Sequence, residues 1–238
     1  MKAMILAAGL GSRLKPWTDH HPKALALVNG KSLLQRNIKY LQAAGIHEII
    51  INVHHFASQI IDEIEKNKGW GAAVSISDET DMVLETGGGL VKAAAYFEGE
   101  DDFVLMNVDI LTNMNLSAMI GQHKAQQPLA TLAVSDRQTS RYFLFDKHHI
   151  LSGWRNVNTG EERIVRAENP LTQKAFSGIH VISPAIFSLI QQTGKFSMVD
   201  VYLGLANHHI IKAFDHTGAD LIDVGKPESI VKAATIFN

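Results

Sequence analysis

An α/β fold, built on a parallel sheet with helices over both faces, is what the first half of this 238-residue chain predicts. Three observations carry that expectation. Short apolar runs alternate with stretches of helical periodicity, and the runs stop at glycines or polar residues suited to loops. The composition, 46% apolar and 19% charged, supplies a sizeable core with too little charge for a disordered chain. Beyond Gln127 the alternation weakens, so mixed or antiparallel strands should extend the same sheet.

Residues 2–8 form an apolar run that stops at Gly9 and Gly11, which predicts a buried strand and then a glycine loop. Ser32 with Gln35 three residues on makes a capping box, and Leu33, Leu34, Ile38 and Leu41 recur at helical spacing before Gly45. A helix over 32–44 follows. Residues 48–53 read as a strand, Ile60, Ile61 and Ile64 mark a helix ending near Gly69, and 73–76 begin another strand. Glu85-Thr86-Gly87-Gly88-Gly89 reads as a turn ahead of a helix carrying Leu90, Ala93, Ala94 and Phe97. Residues 103–106 form a fourth buried strand with Asn107 and Asp109 at its carboxyl end, and 129–134, 142–145, 176–182 and 210–214 are strand-like. With no repeat or linker visible, one continuous domain, 1–238, is expected.

Composition also excludes functions. A formal charge of −2 leaves no global basic field for nucleic acid or an anionic membrane. The absence of Cys removes disulfides, thiolate zinc sites and cysteine nucleophiles, and fits a reducing, cytoplasmic location. The uncharged stretch 175–194 contains His180 and Pro184 and reads as a strand with a short helix rather than a membrane span. The 12 histidines, several of them adjacent pairs, never stand at i, i+4 and read as surface or loop residues rather than a metal site.

Chemistry concentrates in three places. Gly9-Leu-Gly11 followed by Arg13 suggests an anion loop, but Leu14 breaks a dinucleotide fingerprint and Leu25 breaks a P-loop. Arg13, Lys15 and Lys23 remain as a local polyanion site: Arg13 can fork two phosphate oxygens, and Lys23 offers a compact charge for an α-phosphate. Asp109 and Asp223, the latter in Leu221-Ile-Asp223-Val-Gly225, are both expected outside the carboxyl ends of strands, where two hard carboxylates suit Mg²⁺. The glycines at 87–89 can admit a flat base against the backbone, and Trp17 is expected to pin the first loop to the core.

Together these residues resemble the sugar-1-phosphate nucleotidyltransferase family, whose signature is L-x-A-G-x-G-T-R-L-x-P-L-T and then P-K-x-L. It stands here as Leu6-Ala-Ala-Gly9-Leu-Gly11-Ser12-Arg13-Leu14-Lys-Pro16-Trp17-Thr18 and Pro22-Lys23-Ala-Leu25, with Ser12 and Trp17 the departures. The resemblance implies a three-layer αβα, Rossmann-like, GT-A-like fold with a mixed, mainly parallel central sheet. Its 1–127 half would bind nucleotide and its 128–238 half sugar. It further implies Mg²⁺-dependent attack of a sugar 1-phosphate oxygen on the α-phosphate of a nucleoside triphosphate, releasing pyrophosphate. Arg13 would hold the triphosphate and leaving group, Lys23 would stabilise the α-phosphate, and Asp109 and Asp223 would hold the metal. Ala8, Gly9, Gly11, Thr86, Gly87 and Gly88 would receive the nucleoside, and Asn107, Tyr142, Glu168 and Gly178 the sugar.

Within the family, Glu85-Thr-Gly-Gly-Gly89, Phe176-Ser-Gly178-Ile and Asp223-Val-Gly225 are most similar to short bacterial enzymes that join UTP to N-acetylmuramic acid 1-phosphate in cell-wall nucleotide-sugar biosynthesis. Mannose-1-phosphate guanylyltransferases and glucose-1-phosphate nucleotidyltransferases are the alternatives. The implied partners are a nucleoside triphosphate and a sugar 1-phosphate, with no nucleic acid or membrane, in a monomer or small homo-oligomer. The short stretch after Asp223 reads as a single-activity transferase. Four positions depart from the pattern: Val108 for Gly, Leu221 for Trp, Tyr142 for a sugar-contacting Asp, and Asn169 for the Lys of Glu-Lys-Pro. Val108 motivates a rival reading, a non-catalytic nucleotide-binding regulator. Leu14 disfavours a nicotinamide-dependent oxidoreductase.

Overall fold

Alternation along the first strand sorts the molecule into layers. In the computed structural model, which describes residues 1–237, β1 (Ala3–Leu6) sends Ala3 and Ile5 to one face of the sheet and Met4 and Leu6 to the other. The chain continues through the hairpin β2 (Leu27–Val28) and β3 (Lys31–Ser32), α1 (Leu33–Ala43), β4 (Glu48–Val53), α2 (Ala57–Lys66), β5 (Ala73–Asp78), α3 (Glu85–Lys92), β6 (Phe103–Asn107), β7 (Ile110–Thr112) and α4 (Leu116–Gln126). Then come β8 (Ala130–Ser135), β9 (Arg141–Phe145), β10 (Leu151–Asn156), β11 (Glu161–Ile164), β12 (Thr172–Ile182), α5 (Ile186–Leu189), α6 (Met198–Leu205), β13 (Ile211–Asp215), β14 (Leu221–Asp223) and α7 (Pro227–Ile236).

Strands β5, β4, β1 and β6 lie side by side and parallel. β12 enters antiparallel to both β6 and β8, and β13 pairs parallel with β8. The central sheet is therefore mixed and mainly parallel, as expected, and it runs through both halves of the chain. Strands β9, β10 and β11 extend it as an antiparallel meander from the first residues of β12.

Helices α1, α2 and α4 cover one face, where Leu34, Ile38, Ile60 and Met119 pack on Ile5, Ile51 and Met106. Helices α3, α5 and α6 cover the other, where Leu90, Ile186, Val201 and Tyr202 pack on Met4, Phe103 and Leu105. Each such aliphatic or aromatic side chain contributes about 1.5–3 kcal/mol on burial, so the period-two alternation of β1 and β6 fixes which helices go where. Helix α1 begins where the capping box placed it, with Ser32 Oγ accepting from the Gln35 amide at 3.1 Å.

Chain order decides where a site can form. The chain runs outward from β1 through β4 to β5 and then crosses back to β6 on the other side of β1, and this reversal opens a crevice at the carboxyl end of β1.

Several expectations need correction. The glycines at 87–89 are not a turn before a helix: they lie inside α3. Three histidines are core residues with partners. His123 pairs with Thr131 at 2.8 Å and Asp102 at 3.0 Å, His180 with Tyr202 at 2.7 Å, and His216 with Ser177 at 2.7 Å. Residues 175–194 do form a strand and then the short α5, and among the described residues no helix is long and apolar enough to cross a membrane.

Burial holds the His180 imidazole neutral, with its pKa pushed down from 6.5 to about 3. The unfolded chain takes up a proton below pH 6.5 that the folded chain refuses until about pH 3, so stability falls with pH across that window. Denaturant titrations at stepped pH should show this group contributing a slope of about 1.4 kcal/mol per pH unit. His180→Gln should remove that slope; an unchanged slope would place the pH dependence elsewhere.

Candidate functional site

At the carboxyl end of β1 the chain turns on Gly11, which adopts φ 63° and caps a short 3-10 turn, Ser12–Leu14. A Cβ there would stand 2.9 Å from Lys23 Cβ and 3.0 Å from Thr18 Cγ2, so the glycine provides the left-handed geometry and the room for Lys23. The loop is tied by its own carbonyl: Gly11 O accepts from Thr18 Oγ1 at 3.0 Å and from the Leu14 amide at 2.8 Å. Lys23, delivered beneath the loop by the turn Lys23–Leu25, forms an ion pair with Asp109 just beyond β6. Both side chains are largely buried, 11% and 18% exposed, so solvent screens the pair weakly.

The second carboxylate arrives by a route the sequence reading did not anticipate. Asp223 ends a strand, but one outside the central sheet: among the described residues β14 pairs only with β7, antiparallel, placing Asp223 opposite Ile110. The Val224 amide donates to the Asp109 carbonyl at 2.8 Å and locks the two acids together. Burial, and then the charge of Asp109, push the Asp223 carboxyl above the usual carboxylate range, while Lys23, Arg13 and Arg137 pull it down. Arg13, 58% exposed, reaches to 4.0 Å from Asp223. It passes over Gly225, where a Cβ would stand 2.6 Å from Arg13 Nη2.

Two adjacent hard carboxylates that repel each other fit Mg²⁺, which takes one or two protein carboxylates and fills its remaining positions with water and substrate phosphate. No larger His, Cys, Asp or Glu cluster suited to a metal occurs among the described residues.

The wall behind the glycine loop is polar and was missed. Asn52, at the end of β4, accepts from the amides of Ala7 at 2.6 Å and Ala8 at 3.3 Å, and donates to Glu79 Oε1 at 2.8 Å. Burial pushes the Glu79 carboxyl up, and its Oε2 has no hydrogen-bond partner. A polar residue closing the run Ile49-Ile50-Ile51-Asn52 was the available signal.

Gly89 lets α3 approach this pair, since a Cβ there would lie 2.6 Å from Glu79 Oε1. Gly87 and Gly88 face segment 194–197 instead: their amides point to the Phe196 carbonyl at 2.9 and 3.3 Å, and a Cβ on Gly88 would stand 2.1 Å from the Gly194 carbonyl. Thr86 Oγ1 accepts from the Met198 amide at 2.9 Å. These glycines serve close packing of helix against loop rather than an open backbone surface.

A cavity of about 400 Å³ opens among these elements, within the range of small-molecule sites. Of the residues singled out from sequence, Ala8, Gly9, Gly11, Arg13, Lys23, Thr86, Asn107 and Asp109 line it, together with Asn52, Glu79 and Gly225. Gly178 stands directly behind Asn107, 2.9 Å from its Nδ2 were a Cβ present, and Gly87 and Gly88 stand behind Thr86. Tyr142 and Glu168 are off the cavity wall: the Tyr142 hydroxyl accepts from the Thr139 amide at 3.0 Å, and Glu168 is exposed on the segment after β11. Trp17 does not pin the loop to the core. It is 37% exposed and lies against the His21 ring, centroids 4.9 Å apart.

The family model for nucleotidyl transferases matches residues 2–237. N-acetylmuramate alpha-1-phosphate uridylyltransferase of Neisseria meningitidis serogroup B is 32% identical, over 94% of this chain and 93% of that protein. Mannose-1-phosphate guanylyltransferase catalytic subunit beta of Xenopus tropicalis is 25% identical over 100% of this chain, which spans 64% of that protein's length. Among solved structures, HddC from Yersinia pseudotuberculosis complexed with GMP-PN matches with a TM-score of 0.80 at 25% identity, over 100% of this chain and 99% of that one.

Gly11→Ala should cost about 1–2 kcal/mol from left-handed backbone alone and should displace Lys23. Asn52→Ala leaves two loop amides without their partner and takes one donor from Glu79, and should cost about 1–3 kcal/mol. Chemical denaturation checks both values, and wild-type stability in either variant would mean that the loop is not held as described.

Proposed function

The chain belongs to the nucleotidyl transferase family, as a sugar-1-phosphate nucleotidyltransferase, and on that footing we propose that its donor is UTP and its acceptor N-acetylmuramic acid 1-phosphate. The reaction class rests on one arrangement: Arg13, Lys23 and Asp109 line a single cavity, and Asp223 stands 4.0 Å from Arg13 at its edge. The choice of substrates draws its support from the relative that matches nearly end to end. A second reading, GTP with mannose 1-phosphate, is favoured by the guanylyltransferase relative at 25% identity.

The chemistry needs no protein nucleophile. An acceptor phosphate oxygen attacks the α-phosphorus, the bond to the β-phosphate oxygen breaks in line, and pyrophosphate leaves with the electron pair. Catalysis is then positioning plus stabilisation of developing charge. Arg13, exposed at the rim, forks the terminal phosphates and stays with the leaving group. Lys23 is held by Asp109 below the loop and turns its remaining ammonium protons to the α-phosphate, whose equatorial charge grows in the transition state. Asp109 and Asp223 would hold Mg²⁺, which supplies charge neutralisation on the bound phosphates. The Ala8 to Gly11 backbone and Thr86 receive the nucleoside.

Val108, the motive for a non-catalytic regulator, points the other way once placed. Its side chain is buried in the core, and its carbonyl accepts from Asn37 Nδ2 at 2.7 Å, so the substitution leaves Asp109 anchored.

Pyrophosphate release, measured across UTP, GTP, dTTP and CTP against N-acetylmuramic acid, N-acetylglucosamine, glucose and mannose 1-phosphates, should peak at the UTP and N-acetylmuramic acid pair. A peak at GTP with mannose 1-phosphate would transfer the assignment to the second reading. Lys23→Ala and Asp109→Ala should each lower turnover by about 10²-fold or more, and chelation should abolish it. Near-wild-type rates in both variants would overturn the mechanism.

A further inference from the structure

Asn52 stands near the end of β4 opposite Leu6, the last residue of β1, so its side chain meets the backbone where the sheet gives way to the glycine loop. A single atom makes the join: Asn52 Oδ1 accepts from the Ala7 amide at 2.6 Å and from the Ala8 amide at 3.3 Å. Those residues lead straight into Gly9, Gly11 and Arg13, which line the cavity together with Ala8. The first step of the loop is therefore set by a side chain of the neighbouring strand.

A side-chain amide has two ends of similar size and opposite polarity, and only its oxygen suits two N–H donors. The other end is engaged as well. Asn52 Nδ2 donates to Glu79 Oε1 at 2.8 Å, and Glu79 is itself placed by its backbone amide, which donates to the Val53 carbonyl at 2.8 Å. Both side chains are buried and both stand on the cavity wall, so a bound polyanion or its water would compete for the Asn52 NH2 group. Glu79 holds that group against the competition. Helix α3 is fitted to the pair, since a Cβ at Gly89 would stand 2.6 Å from Glu79 Oε1 and 3.0 Å from Asn52 Nδ2. Burial pushes the Glu79 carboxyl up, against the pull of Asn52, the Leu84 backbone, Lys92 on α3 and His54 just after β4.

We propose that Asn52, anchored by Glu79, is a positioning residue for the nucleoside triphosphate: it fixes the Ala7–Ala8 backbone and through it sets the loop that receives the triphosphate. The inference rests on the nucleotidyl transfer reading and adds to it a residue that acts through its neighbours. The direction of the Asn52–Glu79 hydrogen bond matters as much as its presence, because the same side chain must accept on one side and donate on the other. A carboxylate at position 52 would satisfy the loop and oppose Glu79.

The experiment is titration calorimetry with UTP and with GTP, following whichever binds wild type more tightly, on wild type, Asn52→Asp, Glu79→Gln and the double variant. Asn52→Asp should weaken triphosphate binding about tenfold or more at about pH 8 and regain most of the loss at about pH 5.5, where the facing carboxyls take up a proton. In the Glu79→Gln background the hydrogen bond can run the other way, from Gln to Asp, so the double variant should bind within about threefold of Glu79→Gln alone at either pH. That comparison still decides if Asn52→Asp by itself does not fold. An equal loss from Asn52→Asp in both backgrounds, a loss that does not change with pH, or a lowered melting temperature with wild-type affinity would overturn the proposal, as would no binding of either triphosphate by wild type. The expected pattern in a protein that releases no pyrophosphate with any acceptor would leave the positioning role standing and remove the transfer reading.

Discussion

Asp109 and Asp223 are held close enough that the charge of the first disfavours ionisation of the second, and much of the molecule is arranged to keep them there. Like charges in a partly buried mouth repel more strongly than in water. The opposing terms are specific: an ion pair from Lys23, a longer contact from Arg13, and the Val224 amide donating to the Asp109 carbonyl. The two side-chain contacts each depend on a small residue elsewhere. Gly11 makes room for the Lys23 stem, and Gly225 makes room for the Arg13 guanidinium. Glycines in this chain therefore determine where charges sit as much as how the backbone turns.

The same economy explains what could be read from sequence. β1, β4, β6 and α1 were legible because each repeats its apolar pattern over four or more residues and ends at a recognisable cap or glycine. The β7–β14 ribbon was not, since three-residue strands carry no period, so nothing in the sequence tells that the strand Asp223 ends lies outside the central sheet. As sequence the run at 87–89 reads as a turn, and each glycine costs a helix about 1 kcal/mol relative to alanine. Tertiary contact overrides that cost: α3 must pass within backbone distance of Gly194 and within reach of Glu79, where side chains would not fit.

Single polar residues were the other blind spot. Asn52 and Glu79 sit next to apolar runs without any spacing that announces them, and their importance lies in partners 27 to 45 positions away. The basic loop signature and Asp109 were legible for the opposite reason. Their residues stand close together or at a strand end, so sequence order approximates spatial order. Where the two halves meet, at Asn107 and Gly178, it does not, because β12 crosses back antiparallel to lie between β6 and β8.

Topology also sets a timetable. Among the described residues β7 has no strand partner except β14, and Ile110 waits for Asp223 through more than a hundred intervening residues. During synthesis from the N-terminus, the glycine loop, Lys23 and Asp109 emerge together and can settle their ion pair early. The second acid emerges more than a hundred residues later. A growing chain thus carries its first aspartate already neutralised by lysine, and the mutual repulsion that prepares the pocket for a cation is switched on only once β14 has emerged. Nascent protein is in this way kept from assembling a complete cation trap before the rest of its sheet has formed.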